Sequence, residues 1–150
     1  MKRILIATDG SPEARAAVKY GLDLARSSSA SATVVFVRRP SRPFVGDPFY
    51  QRELSKGLHR ADDAGNHALQ VAADLGVETD VEIREGDPAA QIIELARLRD
   101  VDLIVLGSRN RGPLAAALLG SVSKDVVTHA DRPVLIAHAS DDRRRALAIA

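Results

Sequence analysis

The chain has 150 residues, enough for one domain with its own hydrophobic core. Its 21 basic and 20 acidic residues leave a formal net charge of +1, so it lacks the strong field that attracts nucleic acid or a membrane surface. Cysteine is absent, which excludes disulfides, thiol catalysis and thiolate metal sites. No apolar run approaches the roughly 18 residues of a membrane span, and we expect a soluble, cytoplasmic protein without nucleic-acid or membrane partners.

The first half of the chain predicts a strand, a helix, a strand, a loop and a helix. Residues 2–8 are almost continuously apolar, as in a buried parallel strand. Ser11 and Pro12 follow as a helix N-cap and first helical residue. Residues 33–37 are rich in β-branched side chains and predict a strand, whereas the prolines and glycine of residues 38–48 predict a loop. The core faces predicted by helical spacing are Ala14, Val18, Gly21, Leu22 and Ala25 in the first helix, and Leu54, Leu58, Ala61, Ala68, Val71, Ala72 and Leu75 in the second.

The second half continues the alternation of strands and helices. Residues 77–84 alternate apolar or threonine side chains with charged ones, which predicts an edge strand with one wet face. Asp87 and Pro88 repeat the capping pattern. The remaining predicted elements are a helix facing the core through Ala89, Ile92, Ile93 and Ala96, a buried strand at 103–106, a loop at 107–112, a helix from Pro113 to Ala130 that encloses Gly120 and Ser121, a strand at 133–137 and a flexible tail at 141–150.

Strands that alternate with helices imply an α/β fold, a parallel sheet with helices on both faces. In such sheets ligands bind beyond the carboxyl ends of the strands. Asp9 follows the first strand and Gly107 ends the fourth, so both are predicted at that rim.

Each of these two turns has two interpretations. The glycines around residues 107–120 could expose backbone N–H groups to a phosphate, or could simply form a tight strand-to-helix turn. The Asp9 carboxylate could accept hydrogen bonds from a ribose, or could bond only to the local backbone.

Several catalytic motifs are missing from the sequence. It contains no P-loop, no dinucleotide-binding fingerprint after the first strand and no G-x-S-x-G nucleophile elbow. Its four histidines, His59, His67, His129 and His138, do not have metal-ligand spacing. We therefore expect no catalytic residues and no dedicated metal site.

Short motifs along the whole chain resemble the universal stress protein family. They are Asp9-Gly10-Ser11, Gly107-x-x-Asn110, the run from Leu118 through Gly120-Ser121 to Ser123, and the closing Arg132-Pro133-Val134-Leu135-Ile136. The resemblance implies one Rossmann-like, adenine-nucleotide-hydrolase-like domain over residues 1–140. It also implies a five-stranded parallel sheet in the order 3-2-1-4-5 and a homodimer built through the edge strand at 133–138.

The resemblance further implies an ATP site, with or without Mg²⁺. The family's nucleotide-binding members carry Gly-x₂-Gly-x₉-Gly-Ser/Thr, and this chain departs from that pattern because Asn110 replaces the second glycine. Asn tolerates a positive φ better than other non-glycine residues, but its side chain would crowd a phosphate if bare backbone is needed there. The residues implied to bind the nucleotide are Ala7, Asp9, Val37, Leu106, Gly107, Arg109, Asn110, Gly120, Ser121 and Val122.

Two functions remain open from the sequence. The first is an ATP-binding homodimeric regulator of stress response and survival, with at most slow ATP hydrolysis, acting on protein partners that the sequence does not identify. The alternative is a dimeric interaction module of the same fold that needs no nucleotide, and Asn110 favours it.

Overall fold

The computed structural model describes residues 1–40, 48–108 and 119–138. The elements in chain order are β1 (Arg3–Thr8), α1 (Pro12–Ser27), β2 (Ser31–Arg38), α2 (Pro48–Leu75), β3 (Thr79–Glu85), α3 (Pro88–Leu98), β4 (Leu103–Gly107), α4 (Ser121–His129) and β5 (Val134–Ala137). The five strands form one sheet in the order β3-β2-β1-β4-β5, and every neighbouring pair is parallel. The predicted fold class and strand order are confirmed.

The sheet separates two apolar cores. Alternate residues of β1 point to opposite faces, so Leu5 packs with the core under α3 and α4, whereas Ile4 and Ile6 pack with the core under α1 and α2. All of these side chains are fully buried. Burial on both faces explains why the central strands are continuously apolar in sequence.

Two helices begin with the predicted caps. The Ser11 hydroxyl accepts a hydrogen bond from the Ala14 N–H at 3.2 Å, and the Asp87 carboxylate accepts one from the Ala90 N–H at 3.0 Å. Each cap satisfies one of the N–H groups that lack a partner in the first turn of a helix. The capped ends of α1 and α3 follow β1 and β3, at the carboxyl edge of the sheet.

Three sequence-based expectations are wrong in part. Gly120 does not lie inside a helix: its backbone is extended (φ −61°, ψ 161°) and it is the N-cap of α4, which begins at Ser121. Leu58 is 45% exposed and does not face the core, because the neighbouring face of α2, at Gly57, lies against the Arg38 side chain. Ile83 of the edge strand is 46% exposed, while its polar neighbour Arg84 is partly covered through ion pairs with Glu82 and Glu94.

Some predicted segments lie outside the described residues. They are the helix expected at 113–118, most of the loop at 38–48 and the tail at 141–150. Arg38 and Pro48, the two ends of that predicted loop, are the last residue of β2 and the first of α2. Among the helices of the described ranges, none is long and apolar enough to cross a bilayer.

Candidate functional site

A cleft of about 360 Å³ opens at the carboxyl ends of β1, β2 and β4. The N-terminal turns of α1, α3 and α4 and the part of α2 at Gly57 and Arg60 complete its lining. This volume lies within the usual range of small-ligand pockets. The position is the one expected for ligands of a parallel sheet, where the strand order changes direction about β1 and β4.

The cleft brings together most of the residues that the sequence predicted. Eight of the predicted residues line it: Ala7, Asp9, Val37, Leu106, Gly107, Gly120, Ser121 and Val122. Arg109 and Asn110 lie outside the described residues. Positions more than 110 residues apart in the chain therefore share one surface, as the topology argument predicted.

Asp9 is held in the turn between β1 and α1. Its Oδ1 accepts a hydrogen bond from the Ser11 N–H at 3.0 Å, and Gly10 between them has φ +78°. Glycine adopts this left-handed conformation without the steric penalty that a Cβ brings. The local-turn interpretation of Asp9 is thus correct for one oxygen. A carboxylate has about four lone-pair sites, so the turn does not exhaust its capacity to accept hydrogen bonds.

Gly107 is required by packing at the end of β4. A Cβ built on it would lie 3.0 Å from the Glu13 carbonyl oxygen and 3.3 Å from the Ala14 Cα, both backbone atoms of α1. Only a residue without a side chain allows α1 and β4 to approach this closely. The glycine thereby brings the first turn of α1 to the edge of the cleft.

The N-terminus of α4 contributes backbone groups to the cleft. Gly120 makes no side-chain capping hydrogen bond, and Ser121, Val122 and Ser123 line the cleft at the first turn. The N–H groups of a first helical turn have no partner within the helix and carry partial positive charge. Anionic groups are stabilised at such a position.

Sequence reasoning missed a serine–histidine contact beside these glycines. Ser108 is 1% exposed, and its Oγ lies 2.7 Å from Nδ1 of His138, the residue that follows β5. The contact joins the ends of β4 and β5 at the carboxyl edge. The position of Ser108 directly after Gly107 was a usable signal, but its partner depended on the register of β4 with β5.

Three arginines on the opposite side of the cleft were also missed: Arg38, Arg39 and Arg60. The sequence placed the first two in a loop and did not single out the third. Their convergence depends on how α2 packs against β2 and the β1–α1 turn. As for metals, the described ranges contain no group of three or more His, Asp or Glu side chains that could hold one.

Comparison with known proteins identifies similar sequences and structures. The sequence model of the Universal stress protein family matches residues 1–138. A universal stress protein of Thermus aquaticus is 35% identical over 136 residues, covering 90% of this chain and 97% of the relative. Two solved structures share the fold: UspA from Lactobacillus plantarum (28% identity, TM-score 0.78, 90% and 96% of the two chains covered) and the Archaeoglobus fulgidus protein in complex with dAMP (21%, 0.70, 91% and 97%).

Proposed function

This chain belongs to the universal stress protein family, and we propose that it binds an adenine nucleotide, ATP with or without Mg²⁺, in the cleft at the carboxyl edge of the sheet. The observation that carries the proposal is the meeting of Asp9 with the first turn of α4 in one cleft of ligand size. A hydrogen-bond acceptor and an anion-stabilising helix end are the two features that a ribose followed by phosphates requires. The A. fulgidus protein of the same fold binds dAMP, so the fold accommodates an adenine nucleotide.

The residues take separate roles in this proposal. Asp9 accepts hydrogen bonds from the ribose hydroxyls, and Val37 at the end of β2 contacts the base. Backbone N–H groups at Gly120, Ser121 and Val122 bind the phosphates. Arg109 and Asn110 complete the phosphate loop, with the Asn110 amide as a donor in place of bare glycine backbone.

The protein acts by binding rather than by catalysis in this proposal. Phosphoryl transfer relies on placed cations and a group that orients the nucleophile, and the proposed roles require neither, so any hydrolysis of ATP is slow. The bound nucleotide biases the conformation of a cytoplasmic stress regulator toward one state. The regulator is a homodimer joined through β5, which among the described strands pairs only with β4 and offers its other edge to a second copy.

A nucleotide-independent interaction module is the second candidate. Asn110 favours it, because this residue stands where nucleotide-binding relatives carry their second glycine. The two candidates share the fold and the dimer and differ in the cleft.

Thermal unfolding with nucleotide separates the candidates. Nucleotide-stripped protein is heated alone, with millimolar Mg-ATP and with Mg-GTP. A ligand at about 100 times its Kd stabilises a protein by about 2.7 kcal/mol, which for a domain of this size raises the Tm by roughly 5–10 °C. We expect this shift with ATP and a smaller one with GTP.

Variants connect the shift to the cleft. Asp9→Asn retains an oxygen for the Ser11 N–H but removes the charge, and Gly120→Val adds a branched side chain at the start of α4. We expect both to reduce the ATP-dependent shift, whereas Asp62→Asn, on an exposed position of α2, leaves it unchanged. If no nucleotide shifts the Tm of protein that is dimeric by light scattering, the interaction module is the correct function.

A further inference from the structure

The cleft has a cationic side that an ATP molecule would not use fully. Arg38, Arg39 and Arg60, here called the arginine cluster, line it on the side of β2 and α2. The first turn of α4 lies on the other side, beyond β1 and β4. In the proposed binding mode all phosphates of ATP lie at α4, and the neutral adenine lies at Val37, next to the cluster.

Arg38 is fixed in place by both of its neighbours. Its side chain runs across α2 at Gly57, where a Cβ would lie 3.3 Å from the Arg38 Cδ. Its guanidinium forms an ion pair with Glu85 at the end of β3, and its carbonyl oxygen accepts a hydrogen bond from the Gly86 N–H at 2.9 Å. Arg38 is therefore held beside the other two arginines, and its own charge is balanced by Glu85.

Arg60 lies one helical turn beyond Gly57 and close to the turn that carries Asp9. The Arg60 carbonyl oxygen is 3.8 Å from the position of a Cβ on Gly10. Arg39 directly follows β2. Both side chains belong to exposed residues, and within residues 1–40, 48–108 and 119–138 neither is assigned an ion pair or side-chain hydrogen bond.

The spacing of the strands separates the two anion-favouring sides. Neighbouring strands lie about 4.8 Å apart, so β2 and β4, on either side of β1, are about 10 Å apart. A ribose held by Asp9 at the end of β1 would lie between them, with its 5′ side toward α4 and its 2′ and 3′ hydroxyls toward the arginine cluster. Guanidinium groups bind phosphate through paired, charge-assisted hydrogen bonds.

We propose that the cleft selects nucleotides that carry phosphate on both sides of the ribose, with the 5′-phosphate at the N-terminus of α4 and a 3′-phosphate at Arg39 and Arg60. This inference rests on the proposed function, because it uses the same cleft and the same position of the ribose. Arg38 is already paired with Glu85, so the guanidinium groups of Arg39 and Arg60 bind the second phosphate. The cluster also compensates the Asp9 carboxylate, which would otherwise repel an anion at the 3′ position.

The test compares where the phosphate groups are located rather than how many are present. Binding of AMP, ADP and adenosine 3′,5′-bisphosphate is measured by isothermal titration calorimetry. ADP and the bisphosphate both carry two phosphate groups, but only the bisphosphate places one beside the arginine cluster. We expect the bisphosphate to bind about tenfold more tightly than ADP, as one or two charge-assisted hydrogen bonds would produce.

Variants of the exposed arginines identify the source of that preference. In the double variant Arg39→Ala/Arg60→Ala we expect the bisphosphate to lose its tenfold advantage, while AMP and ADP lose much less. Arg52→Ala removes an exposed arginine of α2 that does not line the cleft and is expected to change none of the three affinities. Unchanged circular dichroism and Tm of the ligand-free variants confirm that they fold.

Each outcome has one meaning. If AMP and ADP bind but the bisphosphate is no tighter than ADP, the inference is wrong and the proposed function stands. An equal loss for all three ligands in the double variant also overturns it, because the arginines would then contact the base or act as a general positive field. If none of the three binds, the inference is wrong, and the thermal shift with Mg-ATP decides separately whether the proposed function stands.

Discussion

The two ends of the sheet differ in how their charged residues are paired. At the amino end, Asp100 pairs with Arg3 at 3.0 Å and with Arg132 at 3.2 Å. Arg97 lies across the same end, where its hydrogen bond to Asp131 lowers the pKa of that carboxyl. Each of these five charges has an opposite charge beside it.

At the carboxyl end only part of the charge is paired, because Arg38 forms an ion pair with Glu85 whereas two other arginines of the cleft have no ion pair with the described residues. Arg39 and Arg60 line the cleft without an assigned ion pair in the described ranges, and the first turn of α4 has no side-chain cap. At the amino end the charged side chains neutralise one another in ion pairs. In the cleft, the unpaired arginines and the N–H groups of α4 can instead bind a ligand. This difference indicates that the ion pairs at the amino end connect neighbouring elements of the fold, whereas the carboxyl end is available for ligand binding.

The largest loss of stability is expected from a substitution at Gly107, where α1 and β4 pack closely beside the cleft. Gly107→Ala places a Cβ 3.0 Å from the Glu13 carbonyl oxygen, a backbone atom that can move only if α1 moves. Overpacking of this kind costs about 1–3 kcal/mol. We expect urea unfolding to show a free energy of unfolding lower by about 2 kcal/mol with an unchanged m-value.

Gly57→Ala is the matched control for that substitution. Its Cβ would meet only side-chain atoms, the Arg38 Cδ at 3.3 Å and the Arg38 Cγ at 3.9 Å, and no backbone. Alanine also favours the interior of a helix over glycine by about 1 kcal/mol. We expect a small gain in stability, and a loss equal to that of Gly107→Ala would show that the close approach of α1 and β4 is not the cause.

The next effect concerns the contact between Ser108 and His138. Ser108→Ala removes a 2.7 Å contact from a residue that is 1% exposed, and a net cost of about 1 kcal/mol is expected. Thermal unfolding should show a Tm lower by about 2–4 °C. This substitution tests whether side-chain contacts between strands stabilise the carboxyl end of the sheet, as ion pairs do at the amino end.

Ser123→Ala is the control at the same end of the sheet. Its Oγ donates to the Gly107 carbonyl oxygen at 3.3 Å, a longer and weaker hydrogen bond. We expect a smaller decrease in Tm than for Ser108→Ala. The reverse order would contradict the assignment of Ser108 and His138 as the main side-chain contact at this edge.

The sequence predicted the class of the fold and the rim of the cleft for physical reasons. A continuously apolar strand indicates burial on both faces, and Ser11 followed by Pro12 indicates the start of a helix. These local signals were sufficient to predict β1 and α1. The meeting of Asp9 with Gly107 follows from parallel topology alone. Gly120 was misjudged, because an apolar periodicity that continues through a glycine does not reveal a change of backbone to the extended conformation.

The arginine cluster could not be predicted in the same way. Arg60 is an exposed helical residue in sequence terms, and only the packing of α2 beside Gly10 brings it to the cleft. The Ser108–His138 contact likewise depends on the register that pairs Gly107 with Ala137. Contacts between distant segments are determined by packing, which local patterns do not encode.

At the amino end of the sheet, one carboxylate makes the free energy of unfolding depend on pH. The Asp102 carboxylate accepts hydrogen bonds from the backbone N–H groups of Lys2 and of Arg3, the latter at 2.9 Å. These two bonds, the Lys2 bond foremost, lower the pKa of Asp102 below its ordinary value of 3.8. The folded state therefore favours the ionised form, and the stabilisation is complete above the ordinary pKa and is lost as the pH falls through the lowered pKa.

Asp102→Asn tests this linkage. We expect a lower free energy of unfolding than in the unsubstituted protein at pH 7, and a difference that narrows as the pH falls below about 4. Urea titrations at several pH values measure it. Asp62→Asn, exposed on α2, should follow the unsubstituted protein throughout, and a constant difference for Asp102→Asn would rule out the carboxylate as its source.

The smallest effect is expected from the ion pairs at Asp100. This residue has φ +47°, a conformation that asparagine adopts readily, so Asp100→Asn removes the charge and leaves the backbone unstrained. Its carboxylate is 69% exposed, and exposed pairs contribute below about 1 kcal/mol. We expect a small loss of stability in low salt that disappears at 1 M salt, where charges are screened within about 3 Å.

Arg60→Ala at the other end should leave the stability of the ligand-free protein unchanged at either salt concentration, because Arg60 has no ion pair among the described residues. A loss of stability for Arg60→Ala equal to that for Asp100→Asn would mean that this cleft arginine is already paired, and the contrast between the two ends would not extend to it.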